Sequence, residues 1–312
     1  MINLVFAGTP RFAVPTLEAL VQAGFPVRLV ITQPDRARGR GLELGASPVK
    51  QSALRLGLPV IQPPKIRDNE ELRTQLLRLN PDVIVVVGYG HLIPQWMIDL
   101  PRYGNLNLHA SLLPKYRGAA PIQWAIAAGE SVTGVTTMRI DAGLDTGDIL
   151  LQRDMPIEPD DTAETLAPRL ALLGAGLMIE TLRGLEAGRI RPRQQDHSQA
   201  TLAPILNRED GVIDFQRPAT EIRNRLRGFQ PWPGAMTTFR GRSLQLRSAR
   251  PAPATAQAAP GEIRVDRDRV LVGCGQKTAL ELLEVQPEGK KRMPVRDFIN
   301  GYRPRSGERL GR

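Results

Sequence analysis

The fold is indicated most clearly by the stretch Pro81-Asp82-Val83-Ile84-Val85-Val86-Val87-Gly88. Five β-branched residues follow one another here, between a Pro-Asp opening and a closing glycine. Side chains of this type favour strands, and an unbroken apolar run leaves no polar face for solvent. The stretch therefore predicts a strand that is buried on both faces, as in the interior of a parallel sheet.

Further apolar runs of strand length lie on the N-terminal side of this stretch, at Leu4–Ala7, Val27–Thr32 and, more weakly, Val60-Ile61. Segments with helical periodicity separate them, at 12–23 and 49–56. Strands that alternate with helices predict a doubly wound, mainly parallel sheet of the Rossmann-like α/β class. Ligands of such sheets bind beyond the carboxyl ends of the strands, so functional residues are expected in the loops that follow them.

The C-terminal part of the sequence has a different pattern. A long amphipathic helix is predicted over Thr162–Leu185 with Asp161 as its N-cap, and the mixed stretch 189–206 is interpreted as a linker. Short strand-like segments with polar turns follow it, at 211–215, 236–239, 244–248, 262–265, 270–272 and 279–285. This spacing predicts a small, OB-like β-barrel. We expect a catalytic α/β domain over 1–188, the linker over 189–206 and the barrel over 207–312.

The composition of the sequence indicates the cellular compartment of the protein. No stretch approaches the roughly 18 apolar residues that a membrane-spanning helix needs, and the N-terminal residues have no basic leader but begin directly as a strand. Cys274 is the single cysteine, which excludes a disulfide framework and a cysteine-rich metal site in this sequence. We therefore expect a cytoplasmic protein without a membrane partner, in which Cys274 is a small core residue.

The net charge of +10 is concentrated near the C-terminus. Residues 206–312 contain 21 Lys and Arg against 12 Asp and Glu, a net of +9, whereas residues 1–205 contain 21 against 20, a net of +1. A basic region of this kind is typical of a protein that holds a polyanion such as a nucleic acid. A merely solubilising surface has the same totals, so charge alone leaves both interpretations open.

Two polar residues in the predicted strand Asn105–His109 are candidates for catalysis. Side chains alternate along a strand, so Asn107 and His109 point to the same face. Both interrupt an otherwise apolar strand, and buried polar groups need partners. A satisfied structural pair remains an alternative at this point. Of the other histidines, His91 at a strand end favours a structural role, and His197 in a polar stretch favours simple exposure.

Two later segments are typical of ordered functional loops. Ser111–Pro121 is too punctuated for a strand and too apolar for a surface turn, and it leads into a helix at 122–128. Asp141–Asp148 is glycine-rich and carries three carboxylates between two predicted strands. Its spacing does not match the EF-hand template, and the glutamate at the twelfth position is missing. No metal site is therefore predicted.

These segments resemble the signature of folate-dependent formyltransferases. The resemblance rests on Asn107–Pro114, Lys115–Pro121 and Asp141–Asp148, and it extends over nearly the whole chain. The further motifs are Phe6-Ala7-Gly8-Thr9-Pro10, Gln33-Pro34-Asp35-Arg36, Arg38-Gly39-Arg40-Gly41, Ser47-Pro48-Val49-Lys50, Pro231-Trp232-Pro233-Gly234 and Gly289-Lys290-Lys291-Arg292-Met293. Several separate motifs in the same order are far more specific than any one of them.

The resemblance implies formyl transfer from the co-substrate 10-formyltetrahydrofolate to the α-amino group of initiator methionyl-tRNA. Asn107, His109 and Asp145 are then the catalytic residues. The Asn107 amide and an imidazolium on His109 donate to the oxyanion that forms when the amine attacks. Asp145 favours the charged imidazole and helps to move the amine proton to the leaving folate nitrogen. This chemistry needs neither a metal nor a covalent nucleophile.

The same resemblance implies two sets of binding residues and a monomer. The folate-binding set is Tyr89, Gly90, Leu92, Ile93, Ser111, Leu112, Leu113, Pro114 and Asp141. The tRNA-binding set is Arg36, Arg38, Arg40, Lys50, Lys290, Lys291 and Arg292, with Arg40 in a loop that enters the acceptor end. Leu42-Glu43 and Ile205 stand where lysines are usual in the family. These departures put tRNA affinity in doubt and leave the catalytic assignment unchanged.

Other functions explain fewer of these features. A formyltransferase acting on an amino-sugar nucleotide shares the core but is normally followed by a dehydrogenase-like domain, and one acting on glycinamide ribonucleotide lacks the basic extension. A nucleotide-dependent dehydrogenase requires G-x-G-x-x-G where this chain has Gly8-Thr9-Pro10. A non-catalytic RNA-binding protein leaves Asn107, His109 and Asp145 unexplained.

Overall fold

The computed structural model describes residues 2–38, 43–253 and 258–311, which divide into two compact units. The first unit contains the residues up to Pro121, Val132–Pro156 and Ala167–Ala203. The second contains Ile122–Ser131, Ile157–Leu166 and the residues from Pro204 onward. Because this division is discontinuous in sequence, the expected boundaries at 188 and 206 remain a prediction.

The first unit is built on a mainly parallel sheet. Its strands are β1 Leu4–Gly8, β2 Val27–Ile31, β3 Arg36–Arg38, β4 Glu43–Gly45, β5 Val60–Ile61, β6 Val83–Val87, β7 Asn105–His109, β8 Val132–Arg139 and β9 Ile149–Pro156. Seven of them form one sheet in the order β5-β2-β1-β6-β7-β8-β9, while β3 and β4 form a separate antiparallel pair. The first five in that order are parallel, and β8 and β9 are antiparallel. The predicted mainly parallel α/β sheet is confirmed.

The point where this sheet reverses its winding direction positions the site. β1 lies between β2 and β6, so the loops after β1 and β6 flank a crevice at the carboxyl edge. Two hydrogen bonds to the Tyr89 carbonyl tie the loop after β6 to its neighbours. Thr9 Oγ1, after β1, donates at 3.1 Å, and Gln33 Nε2, after β2, donates at 3.0 Å. Gly90 has a φ of +82°, and a Cβ on it would lie 2.5 Å from Gln33 Nε2. Only glycine fits this close approach without displacing Gln33.

Eight helices accompany the strands in the described part of the chain. They are α1 Val14–Gln22, α2 Pro48–Arg55, α3 Glu70–Leu79, α4 Gln95–Ile98, α5 Pro121–Ala127, α6 Ala163–Glu186, α7 Ala219–Gly228 and α8 Val295–Tyr302. Helix α6 has the length and composition of a membrane span, with a mean hydropathy of 1.3 over 18 residues, but half of that window is buried within the protein. A core helix has the same character.

The N-terminus of α6 is capped differently from the prediction. Thr162 Oγ1 accepts the N–H of Thr165 at 3.3 Å, and Thr165 Oγ1 accepts the N–H of Thr162 at 2.9 Å. This reciprocal pair is a capping box, so Thr162 is the N-cap. Asp161 instead accepts the Glu158 N–H at 2.8 Å and the Thr165 hydroxyl at 3.0 Å, which closes the preceding turn.

The second unit contains an antiparallel sheet. Its strands are β10 Ala235–Phe239, β11 Arg242–Ala252, β12 Ile263–Asp266, β13 Arg269–Gly273, β14 Ala279–Pro287 and β15 Met293–Pro294. They pair in the order β10-β11-β14-β13-β12, with β15 beside β14. The expected strand at 211–215 is instead a short 3₁₀ turn, Glu209–Gly211, followed by a single bridge from Val212 to Met236. Cys274 is buried in the core of this unit, and burial raises the pKa of its thiol to about 12.

A carboxylate in this sheet is expected to make the second unit sensitive to acid. Glu281 is 5% exposed and pairs with Arg250 at 3.0 Å and Arg269 at 2.9 Å. The hydrogen bond from Arg250, supported by Arg269, lowers the pKa of the Glu281 carboxyl below its ordinary value. A depressed pKa in the folded state stabilises the protein above the unfolded pKa, and this contribution is lost as the pH falls through the folded value.

We therefore expect Glu281→Gln to be less stable than the wild type at pH 7, with a difference that shrinks as the pH falls below about 4.3, the pKa of an unperturbed glutamate. Urea midpoints between pH 7 and pH 3 measure this difference. The matched control is Glu288→Gln, since Glu288 is exposed in the turn directly after β14. A difference between Glu281→Gln and the wild type that stays constant down to pH 3 would contradict the expectation.

Candidate active site

Strand β7 carries three polar residues at alternate positions. Asn105 is buried, and its Nδ2 donates to the carbonyls of Met97 at 2.7 Å and Ile98 at 3.2 Å, so its role is structural. Asn107 is half-buried and His109 is 5% exposed, nearer the carboxyl end of the strand. Both residues lie toward the carboxyl end of β7, the edge at which ligands of parallel sheets bind.

The loop between β8 and β9 brings Asp145 to these two residues. Asp145 Oδ2 accepts the Gly118 N–H at 2.8 Å and lies 3.6 Å from His109 Nδ1. Asn107 Nδ2 lies 3.4 Å from Asp145 Oδ1, which is long for a hydrogen bond. The loop folds tightly because Gly147 approaches the Arg139 carbonyl, to which a Cβ would lie only 2.0 Å away. The three residues expected to be catalytic therefore form one cluster.

Both ring nitrogens of His109 face an oxygen. Nε2 lies 2.8 Å from the carbonyl oxygen of Tyr116. A carbonyl oxygen only accepts, so Nε2 carries a hydrogen. Nδ1 faces the Asp145 carboxylate at 3.6 Å, beyond hydrogen-bond length. The segment Tyr116–Gly118 thus contacts His109 through one residue and Asp145 through another.

Two further buried residues, Arg117 and Gln195, border this cluster, and no role was predicted for either of them. Gln195 is 5% exposed and lies in the stretch interpreted as a linker, yet its amide donates to the carbonyls of Asp145 and Gly147. Arg117 is 6% exposed and donates to Gln195. The local sequence does not distinguish Gln195 from Gln194. The hydrogen bond that sets Gln195 apart joins it to Asp145, 50 positions away in the sequence.

The expected folate-binding residues differ in their exposure. Leu92 is 82% exposed at the carboxyl edge, and Gly90 is exposed beside it, whereas Ile93 is half-buried. The Tyr89 ring is buried in the core below. Burial raises the pKa of its hydroxyl to about 12.

The loop after β7 also has a buried and an accessible part. Ser111 is buried and donates to the Lys115 carbonyl at 2.6 Å, and Leu113 packs with Met138 and Ile149. Leu112 and Pro114 are half-buried. Asp141 is exposed and accepts the Gly143 N–H at 3.0 Å and the Thr146 hydroxyl at 2.7 Å, so it stabilises its own loop.

The expected tRNA-binding residues lie in both units. In the first, Lys50 pairs with Asp35 at 2.6 Å and Arg36 donates to Gln33 at 2.5 Å. The structure describes the backbone of Arg38, in β3, but not its side chain. Arg40 and Leu42 lie outside the described residues. In the second unit, Lys290 and Lys291 are exposed, and Arg292 pairs with Glu284.

Both parts of the chain match known family models. The model described as Formyl transferase matches residues 2–182, and the model described as Formyl transferase, C-terminal domain, matches residues 205–303. The two matches cover most of the sequence, and the chain belongs to the formyl transferase family.

Similar relatives within this family are named methionyl-tRNA formyltransferase. The relative from Koribacter versatilis is 67% identical over 309 residues, which cover 99% of this chain and 98% of the relative. The relative from Acidobacterium capsulatum is 62% identical over 310 residues, with 99% and 100% covered. The relative from Geobacter sulfurreducens is 48% identical over 311 residues, with 99% and 97% covered.

Solved structures share the fold at lower identity. The N-formyltransferase from Helicobacter canadensis, in complex with folinic acid and dTDP-3-aminofucose, has a TM-score of 0.68 and 20% identity, covering 92% of this chain and 100% of that chain. The sugar 3N-formyl transferase WlaRD has a TM-score of 0.67 and 19% identity, covering 93% and 99%. At these identities the similarity concerns the fold alone.

Proposed function

We propose that the chain transfers the formyl group of 10-formyltetrahydrofolate to the α-amino group of initiator methionyl-tRNA, giving formylmethionyl-tRNA for translation initiation. The observation that carries this proposal is the cluster of Asn107, His109 and Asp145 at the carboxyl edge of the sheet. The relatives of 48–67% identity are named for methionyl-tRNA, which favours this acceptor over an amino-sugar nucleotide.

Asn107 and His109 are proposed to stabilise the negative charge that develops on the formyl oxygen. The bound folate supplies the formyl carbon that the methionyl amine attacks. The Asn107 amide has two hydrogens and at most one reaches Asp145, so the other is available to that oxygen. The Nε2 hydrogen of His109 becomes available when the ring exchanges the Tyr116 carbonyl for the same oxygen. Catalytic hydrogen bonds often tighten only when substrate is bound.

Asp145 is proposed to accept the proton of the attacking amine, directly or through water, and to pass it to the leaving folate nitrogen. Its carboxylate accepts only one hydrogen bond of ordinary length within this cluster, from Gly118, and a carboxylate has about four acceptor positions. Its position beside the His109 ring also favours the charged imidazole during the reaction.

The surroundings of the cluster suit a folate. Leu92 is 82% exposed and Leu144, next to Asp145, is 57% exposed, although both are large apolar side chains. Flat, largely apolar ligands cover such side chains, and nearby backbone groups then fix their orientation. We propose that Gly90, Leu92, Ile93, Leu112 and Pro114 contact the folate directly. We propose that the buried residues Tyr89, Ser111 and Leu113 support these contacts from beneath. Asp141 is proposed to support them by stabilising its own loop.

The second unit is proposed to be an OB-like barrel that holds the acceptor arm of the tRNA. The C-terminal tail, the described residues 303–311 after α8, supports barrel closure. Leu310 forms a bridge with Phe239 of β10, and the Ile263 N–H of β12 donates to the Glu308 carbonyl at 2.7 Å. The tail thus pairs with both edge strands of the sheet. Arg36, Arg38, Arg40, Lys50, Lys290, Lys291 and Arg292 are proposed to contact phosphates, which recognise RNA mostly by shape.

Further parts of the proposal are a monomer in the cytoplasm, without a metal or a membrane partner. Among the described residues, no group of three or more His, Cys, Asp or Glu side chains is arranged to hold a metal ion.

We expect the purified protein to convert initiator methionyl-tRNA to formylmethionyl-tRNA with 10-formyltetrahydrofolate, measured as formylmethionine released from the tRNA.

The double variant Lys290→Ala/Lys291→Ala should raise KM for the tRNA and leave kcat unchanged. The logarithm of the tRNA affinity falls linearly with the logarithm of the salt concentration, and each lost phosphate contact reduces the magnitude of this slope by about 1. The double variant should therefore reduce it by about 2.

The matched control for these lysines is Lys65→Ala, which removes one exposed lysine of the first unit to which no role is assigned. Formyl transfer to an amino-sugar nucleotide, with none to methionyl-tRNA, would contradict the proposed function. An unchanged salt slope in the double variant would contradict only the assignment of Lys290 and Lys291.

A further inference from the structure

Arg117 and Gln195 form a buried polar pair in the first unit, next to the proposed catalytic cluster. Arg117 is 6% exposed and Gln195 is 5% exposed. Burying a guanidinium and an amide is unfavourable unless both are hydrogen-bonded. The hydrogen-bond partners of Arg117 and Gln195 therefore indicate which segments of the chain the pair holds in place.

The Gln195 side chain joins Arg117 to the turn that carries Asp145. Its Oε1 accepts from Arg117 Nε at 3.1 Å and Nη2 at 2.6 Å. Its Nε2 donates to the carbonyls of Asp145 at 2.9 Å and Gly147 at 2.7 Å. Both amide hydrogens are thus used, and they fix the backbone on either side of Thr146.

The backbone around Arg117 is itself anchored and contacts the cluster on both sides. The Arg117 N–H donates to the Thr201 carbonyl at 2.8 Å, and its carbonyl accepts the Ala203 N–H at 2.7 Å. The preceding residue, Tyr116, accepts from His109, and the following residue, Gly118, donates to the Asp145 carboxylate. Arg117 and Gln195 therefore connect the segment that contacts His109 to the turn that carries Asp145.

The conformation of Asp145 explains why such a connection is needed. Its φ is +50°, in the left-handed region. Most L-residues avoid this region, and aspartate enters it mainly where local hydrogen bonds stabilise the turn. Strained residues persist only when surrounding contacts determine their conformation. The hydrogen bond from Gln195 to the Asp145 carbonyl is a direct contact of this kind.

We propose that Arg117 and Gln195 are positioning residues, which hold Asp145 where it faces His109 and Gly118 without themselves touching the substrates. This inference rests on the proposed function of Asp145 as proton acceptor. Displacing a catalytic group by about 1 Å can reduce the rate about a hundredfold. Loss of the pair should therefore lower kcat and leave KM for both substrates nearly unchanged.

Gln195→Glu tests this with little change of shape. A glutamate still accepts from Arg117, but it has no hydrogen for the Asp145 and Gly147 carbonyls. We expect kcat to fall about ten- to a hundredfold, with each KM within about twofold of the wild type. The matched control is Gln194→Glu, at the exposed neighbouring position. A milder variant, Arg117→Lys, keeps the charge but loses the two-pronged contact with Gln195 and should lower kcat less.

A double-mutant cycle separates positioning from general weakening of the fold. If Gln195 acts only through Asp145, Gln195→Glu should cause no further loss of kcat in the Asp145→Asn background. Losses that multiply in the double variant, with thermal midpoints unchanged, would overturn the inference.

A second measurement does not depend on activity. The Gly118 N–H donates to Asp145, so its hydrogen exchange, followed by NMR, reports whether the carboxylate is in place. We expect faster exchange in Gln195→Glu and none of this effect in Gln194→Glu. Unchanged exchange at Gly118 would overturn the positioning role, whereas a wild type inactive on methionyl-tRNA would overturn the proposed function instead.

Discussion

Replacing Asp145 by asparagine should lower kcat for formyl transfer about a thousandfold, since general acid–base groups contribute typically 10²–10⁴-fold. An amide of the same shape cannot accept the proton of the methionyl amine, and it removes the negative charge that faces His109 Nδ1 at 3.6 Å. The backbone of the loop should be preserved, because its carbonyls remain bound to Gln195. Single-turnover formylation of methionyl-tRNA measures this loss without interference from product release.

The matched control for this change is Asp148→Asn, three residues further along the same loop, where no catalytic role is proposed. It removes one negative charge from the same loop but not the group beside His109. Asp148 is half-buried and has no part in the proposed reaction, so we expect the kcat of this variant within about twofold of the wild type. Equal losses in the two variants would indicate that only the net charge of the loop matters and would refute the role of Asp145.

The second large effect is expected from Asn107→Ala, which should lower kcat about 10²- to 10³-fold with little change in either KM. The amide hydrogen proposed to meet the formyl oxygen acts on charge that develops only during the reaction, so substrate binding should be nearly unaffected. Steady-state kinetics with each substrate varied in turn separates kcat from KM.

Asn105→Ala provides the contrast, because Asn105 lies two positions earlier on the same strand and binds the carbonyls of Met97 and Ile98. Leaving such buried groups unpaired typically costs about 1–3 kcal/mol. We therefore expect Asn105→Ala to be less stable in urea but nearly as active while it remains folded. A large increase in KM with an unchanged kcat in Asn107→Ala would show that Asn107 binds substrate and does not stabilise the reacting oxygen.

The parallel sheet was predictable because its signals are local. The five β-branched residues of Val83–Val87 are buried without exception, as an unbroken apolar run requires. Val212 shows the limit of such patterns. Its segment has strand-like composition, yet within the described chain it makes one bridge to Met236 and follows a 3₁₀ turn. Whether an apolar segment becomes a strand depends on the neighbouring edge, which local sequence does not specify.

The candidate site was predictable in part. The alternation of side chains along a strand placed Asn107 and His109 on one face, and the resemblance to formyltransferases added Asp145. Gln195 was missed because it lies in a polar stretch with the composition of a linker. Its importance arises from hydrogen bonds to the Asp145 and Gly147 carbonyls, far away in sequence.

The sequence by itself determined the mainly parallel sheet, the family of the chain and the face on which Asn107 and His109 lie. These properties follow from periodicity and from motifs, which are read from residues close together. Only the tertiary structure decided that Gly118 donates to the Asp145 carboxylate and Gln195 to its carbonyl, and that the tail at Leu310 pairs with β10. Such contacts join residues many positions apart, and they depend on the path of the whole chain and on the need of every buried polar group for a partner.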